Sequence, residues 1–205
     1  MIADVPDALL SRPMNERRER GAAPTTGRES WMSEHEFWSL VERTADPQDP
    51  PGQAARLTEE LSRLTAEQVL GFDLRFSRFH RACGLGSLWC AAYVMLGACS
   101  EEDFDHFRSG LIGRGRAVFE DALRDPDTLV ELDLDVPHDL QNEDLAFAAA
   151  DAWTRVTGED DEAFWDTVAG FRDIPEPLPL ELGWDPDDPD SMAAIVPRLM
   201  VAYGI

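Results

Sequence analysis

The sequence predicts an all-α protein, a single-domain irregular helical bundle with a buried central helix near residues 87–98. Three observations predict it. Val69, Phe72, Phe76, Phe79 and Cys83 recur at the spacing of one helical face. Ser33–Glu36, Thr65–Gln68 and Ser100–Asp103 each place a hydroxyl three residues before an acidic or amide side chain, the signature of a capped helix start. No stretch sustains the period-two alternation of a half-buried strand.

The elements follow in order. Residues 1–31 mix an Arg/Glu-rich patch with Gly21-Ala-Ala-Pro-Thr-Thr-Gly27 and show no apolar face, so a flexible extension is expected. A short helix over Asp4–Leu10 is the alternative there, and Met14 and Met32 join Met1 as candidate translation starts. The expected domain covers 32–205. Its first helix spans Glu34–Thr44, burying Phe37, Trp38 and Val41, and Asp46-Pro47-Gln48-Asp49-Pro50-Pro51 breaks it. A second spans Gly52–Arg63, and a third runs from Thr65 to about Cys83. Gly84 and Gly86 separate that helix from Leu88–Leu96, apolar on every side as a helix at the centre of a bundle must be.

Ser100 opens a helix with Phe104, Phe107 and Leu111 on its inner face, and Gly113 and Gly115 loosen the chain before a helix over Arg116–Leu123. Asp125-Pro126-Asp127 restarts a short helix, with a capping carboxylate followed by proline at the first position. Further helices are expected over Asn142–Thr157, Ala163–Phe171 and Pro189–Ile195, with an irregular proline-laced segment at 174–179.

Charge narrows the function. The formal net charge is −23, which repels nucleic-acid phosphates and anionic membranes at long range. Direct nucleic-acid binding and membrane association are therefore not expected. Most of the excess lies in residues 125–205, with three arginines against twenty-one acids. Runs such as Glu159–Glu162 and Asp185–Asp188 read as solvated loops or helix starts, or as a face for a basic partner.

All eighteen basic residues are arginine, a bias that fits a GC-rich genome. The absence of lysine excludes a Schiff-base lysine, a P-loop lysine and a kinase lysine. Any cationic site must then use a guanidinium, which suits bidentate carboxylate or phosphate binding.

Cys83, Cys90 and Cys99 form no C-x-x-C pair and read as reduced core thiols of a cytosolic protein. Asp4 and Asp7 interrupt any early apolar run, so no secretory leader is expected. His106 follows Glu102 by four residues and Asp103 by three, which places the three on one helical face. One helix without a partner motif makes a poor metal site, and neither a metal nor a cofactor is expected. Asp73, Ser77 and His80 also share a face, but a catalytic triad draws its members from separate elements.

The candidate ligand-binding residues are Arg81, Trp89, Tyr93, His106, Arg108, Arg114 and Arg116. They lie on helices that can converge at one end of a bundle, and the glycine-flexed turn at 113–116 allows backbone N–H groups to approach an anion. Salt bridging to nearby acids is the competing structural role for the same arginines.

Several segments also resemble a known family. They are Glu36-Phe37-Trp38, Leu88-Trp89-Cys90-Ala91-Ala92-Tyr93, Asp103-Phe104-Asp105-His106-Phe107-Arg108 and Leu111-Ile112-Gly113-Arg114-Gly115-Arg116. Phe119-Glu120-Asp121-Ala122-Leu123 and Asp125-Pro126-Asp127 continue the pattern. Together they resemble the mainly actinobacterial domain of unknown function four-two-four-zero over about residues 34–130. The resemblance implies a small cytosolic bacterial protein and no particular activity. Ser109-Gly110 departs from it, since a bulkier residue is expected there.

Three functions stay open on the sequence. One is a non-enzymatic interaction or regulatory domain for a basic protein partner. Another is a small-anion-binding domain or enzyme using the arginine/histidine cluster. The third is a nucleic-acid mimic that presents carboxylates in place of phosphates.

Overall fold

A computed structural model describes residues 31–46, 49–132, 134, 137–171 and 180–205. The expectations for residues 1–30 and for the proline segment at 174–179 lie outside these residues. Ten α-helices and three 3-10 turns make up the regular structure, with no strand among the described residues, so the all-α reading holds.

Helix α1 covers Glu34–Thr44, with the Ser33 hydroxyl and the Glu36 carboxylate exchanging both capping bonds. Helix α2, Pro50–Leu61, starts two residues before the expected Gly52. The reason is local: Asp49 accepts the Gly52 N–H at 3.1 Å, and proline in a first turn has no N–H to leave unpaired. Helix α3, Ala66–Ala82, carries the predicted stripe into the core behind the Thr65–Gln68 capping box. The Phe37 ring lies about 5 Å from those of Phe72 and Phe79, centroid to centroid, and Trp38 joins Phe79 to Phe119.

Helix α4, Gly86–Leu96, is the predicted central helix. Leu88, Cys90, Ala91, Ala92, Val94 and Met95 are all buried. It ends at Gly97, whose φ of 77° is a left-handed conformation open to glycine without a Cβ clash. Helix α5, Glu101–Gly113, starts on the Ser100–Asp103 capping box. Helix α6, Arg116–Arg124, follows the turn at Gly115, φ 90°.

The segment 137–142 crosses α5 at Gly110. A Cβ on Gly110 would lie 1.6 Å from the Leu140 carbonyl oxygen, and Asn142 N–H donates to the His106 carbonyl at 3.1 Å. Backbone therefore fills the space where the family resemblance leads one to expect a larger side chain, and only glycine fits. Neighbouring Ser109 is buried and folds its hydroxyl onto the Asp105 carbonyl.

The helix expected over Asn142–Thr157 is two pieces, a 3-10 turn at Glu143–Ala146 and helix α7, Ala148–Thr157. The turn packs on α5 and α2, and α7 lies against α2, α3 and α8, so the bend at Phe147 carries the segment along α2 from α5 to α3. Helix α8, Asp161–Ala169, starts on the Asp160 cap, two residues before expectation. Helix α9 covers Pro189–Ala193.

Helix α10, Pro197–Tyr203, has no counterpart in the sequence reading. It packs on α4 and on the 3-10 turn Pro126–Glu131, burying Leu199 and Met200. Buried Asp127 tethers it: its carboxylate accepts the N–H groups of Arg198 and Leu199 at 2.9–3.0 Å. Just upstream of α9, the Trp184 indole donates to the Gly86 carbonyl at 2.8 Å, and a Cβ on Gly86 would meet the Glu181 and Leu182 carbonyls at 2.3 and 2.4 Å. The acidic C-terminal portion thus closes over the central helix. One hydrophobic core runs from Met32 to Met200.

Candidate functional site

The predicted arginines engage separate partners. Arg81 is exposed and turns back to the Ser77 carbonyl one turn earlier. Arg108 pairs with Asp105, donates to the His80 carbonyl at 3.3 Å and lies over the Phe104 ring, 5.1 Å from its centroid. Its Nε is buried without a hydrogen-bond partner. Arg116 bridges Glu34 at 3.1 Å and Glu120 at 2.6 Å, while its backbone N–H donates to Glu42. The hydrogen bond that Arg116 donates to Glu120, with the charges of Glu120, Glu34 and Glu42, raises the Arg116 pKa against a smaller opposing effect of burial. Arg108 thus ties α5 to α3 and Arg116 ties α6 to α1, whereas the Arg81 bond stays within α3.

Trp89 and Tyr93 are half-buried on α4 and point to different neighbours. Trp89 stacks on Phe104 and donates its indole N–H to the Cys99 carbonyl at 3.0 Å. Tyr93 packs against Trp184, centroids 5.2 Å apart. The His106 charge acts on Asp103, as its spacing suggests. His106 also sits 3.7 Å from Glu143, and Asp103 is held by Ser100 and Gln141. Among the described residues no group of three or more His, Cys, Asp or Glu side chains is arranged to hold a metal ion.

Arg114 is different. Its guanidinium is half-buried and donates to the Asp139 carbonyl at 2.9 Å, with no carboxylate at ion-pair distance among the described residues. Burial pulls its pKa down, and the Asp139 carboxylate offsets part of that effect. Arg114 lines a cavity of about 50 Å³ together with Asp46, Gln53, Gly110, Asp139 and Asn142. Gln53 is fixed there by donating to the Val41 and Gly113 carbonyls at 3.2 and 2.9 Å. The cavity is far below the roughly 300–1,000 Å³ of ordinary ligand pockets, yet larger than a single water requires.

Of the seven predicted residues, only Arg114 faces this cavity. Gln53, Asp139 and Asn142 reach it from segments distant in sequence, and no local motif marks them. The glycine-flexed turn was the one legible sign of the place.

The thiols are poor nucleophiles. Burial pushes Cys83 up to about 12 and Cys90 up to about 11. Cys99 is raised to about 12 by burial and by the nearby Asp103 charge. At neutral pH all three are protonated.

A family model described as "Protein of unknown function (DUF4240)" matches residues 32–155. The chain belongs to the DUF4240 family. The match contains α1 to α6, the cavity and most of α7, and it stops before the C-terminal helices that close over α4. No curated protein and no solved structure matches the chain. DUF4240 membership carries no activity with it. Among the described residues no helix is long and apolar enough to cross a membrane.

Proposed function

We propose that this DUF4240 protein is a non-enzymatic, cytosolic interaction domain whose acidic C-terminal portion receives a basic protein partner. The observation that carries this reading is a block of exposed carboxylates without counter-ions. Glu159, Asp160, Asp161 and Glu162 are all exposed and form no ion pair among the described residues. They sit at the start of α8, where Asp160 accepts the Ala163 N–H at 3.0 Å. The helix dipole favours negative charge at that end, so the block is stable without a cation and free to attract one. Asp185, Asp187, Asp188 and Asp190 add exposed charge around the start of α9.

The internal pairing of Arg108 and Arg116 supports the same reading. Arg108 is matched by Asp105, and Arg116 by Glu34 and Glu120, so neither offers an uncompensated positive charge to a substrate. Capture from a native-host lysate at moderate salt tests the proposal. The expected result is one specific basic protein whose retention falls as salt rises. Failure to retain any partner at low ionic strength, with the protein persistently monomeric, contradicts it.

A further inference from the structure

Helices α7 and α8 set an aromatic pair among the carboxylates of the acidic face. Phe147, at the start of α7, is 46% exposed, and no other Phe, Tyr or Trp is that open among the described residues. Its ring meets Trp165 of α8 edge to face, centroids 6.5 Å apart at 89°. Trp165 is partly buried and has other contacts; the π surface that reaches solvent is that of Phe147. Helical register brings acids to the pair. Asp151 follows Phe147 by four residues, and Asp161 and Glu162 precede Trp165 by four and three. Such spacings place side chains on one face, with Cβ atoms roughly 5–6 Å apart. Asp151, Asp161 and Glu162 are exposed, and none forms an ion pair among the described residues. Arg155 on α7 is exposed and forms none either, so three acids face one cation and the patch is negative.

We infer that this patch anchors the basic partner by an arginine side chain, its guanidinium stacked on Phe147 and paired with the carboxylates beside it. The anchor depends on the acidic face being a receptor for a basic protein, and it names the group that the receptor takes. Carboxylates alone attract any cation. An exposed ring beside them favours the guanidinium, which is planar and weakly hydrated and can stack on a π face while its N–H edge bonds a carboxylate. A lysine ammonium is a compact, strongly hydrated point charge and does the two together less well. The same combination already occurs within the chain, where Arg108 lies 5.1 Å from the Phe104 centroid and pairs with Asp105.

The test is an NMR titration of the full chain at moderate salt with end-blocked tetra-arginine and tetra-lysine peptides, following the Phe147 ring protons and the Trp165 indole N–H. Tetra-arginine should shift both signals and bind more tightly than tetra-lysine. Phe147→Leu keeps an apolar contact but removes the ring. It should weaken tetra-arginine about two- to fivefold, the strength of an exposed cation–π contact, and abolish the preference over lysine. Phe147→Tyr keeps a ring and should retain both affinity and preference. Glu159→Gln, Asp161→Asn and Glu162→Gln together should weaken both peptides. Unmoved Phe147 signals, equal binding of the two peptides by the native chain, or unchanged tetra-arginine affinity in Phe147→Leu overturns the arginine anchor. If the triple variant still weakens binding in that event, the acidic face stands as a receptor without an aromatic anchor. If the triple variant binds undiminished, the receptor reading fails with it.

Discussion

The carboxylate of Asp127 accepts the backbone N–H of Leu199 at 2.9 Å across seventy-two residues of chain. Asp127 belongs to the family-matched region and Leu199 to the helix beyond it. The bond fastens the acidic C-terminal portion to the bundle and orders the start of α10, where Pro197 occupies the first turn.

Asp127→Ala should destabilise the protein by about 2 kcal/mol, because two helix N–H groups lose their acceptor in a buried site. Urea denaturation measures it, with the effect appearing as a lower midpoint at unchanged slope. Asp127→Asn should cost less, since the amide oxygen still accepts one bond.

Gly110→Ala should cost more than a helix-propensity change predicts. Alanine in a helix interior normally stabilises by up to about 1 kcal/mol relative to glycine. Here the added methyl meets the Leu140 carbonyl, so α5 and the 137–142 segment must separate, at about 2–3 kcal/mol. A higher melting temperature for this variant would refute the crossing.

The capped helix starts show which parts of the fold were legible. Ser33–Glu36 and Thr65–Gln68 act over three residues, so a linear pattern reveals them. Helix α10 was not legible, even though Pro197 is a usable start signal, because its cap comes from Asp127. The break at Phe147 likewise goes with a change of tertiary neighbours, from α5 to α3, rather than with a local signal. At the cavity, Arg114 could be picked out by its glycine neighbours. Gln53, Asp139 and Asn142 join it only through tertiary structure, and the pairing of Arg116 with Glu34 depends on α1 lying beside α6. The glycine-flexed turn that marks Arg114 marks Arg116 as well.

His80 makes stability pH-dependent. Burial, reinforced by the Arg108 charge, lowers its pKa, while its bond to the Asp105 carbonyl and the Asp105 charge oppose that shift. The folded state then binds fewer protons than the unfolded state between the lowered pKa and about 6.5. Stability from this residue should rise with pH through that window. An NMR titration should place the His80 midpoint below 6.5, and a midpoint at or above that value contradicts the burial.

The cysteines should resist alkylation. With pKa values pushed up to about 11–12, native protein at pH 8 should react with iodoacetamide far more slowly than a free thiol does. Denaturant should make all three modifiable at once. Mass spectrometry reads both states.

The acidic face is tested most directly by measuring partner affinity against a charge-neutralised variant. Glu159→Gln, Asp161→Asn and Glu162→Gln remove three exposed carboxylates and keep the Asp160 cap, so the melting temperature should change little. The captured partner should bind this triple variant at least about tenfold more weakly at moderate salt, and the salt dependence of binding should shrink. Undiminished affinity, or a loss that follows substitution of Arg108 or Arg116 instead, would contradict an interaction domain built on its carboxylates.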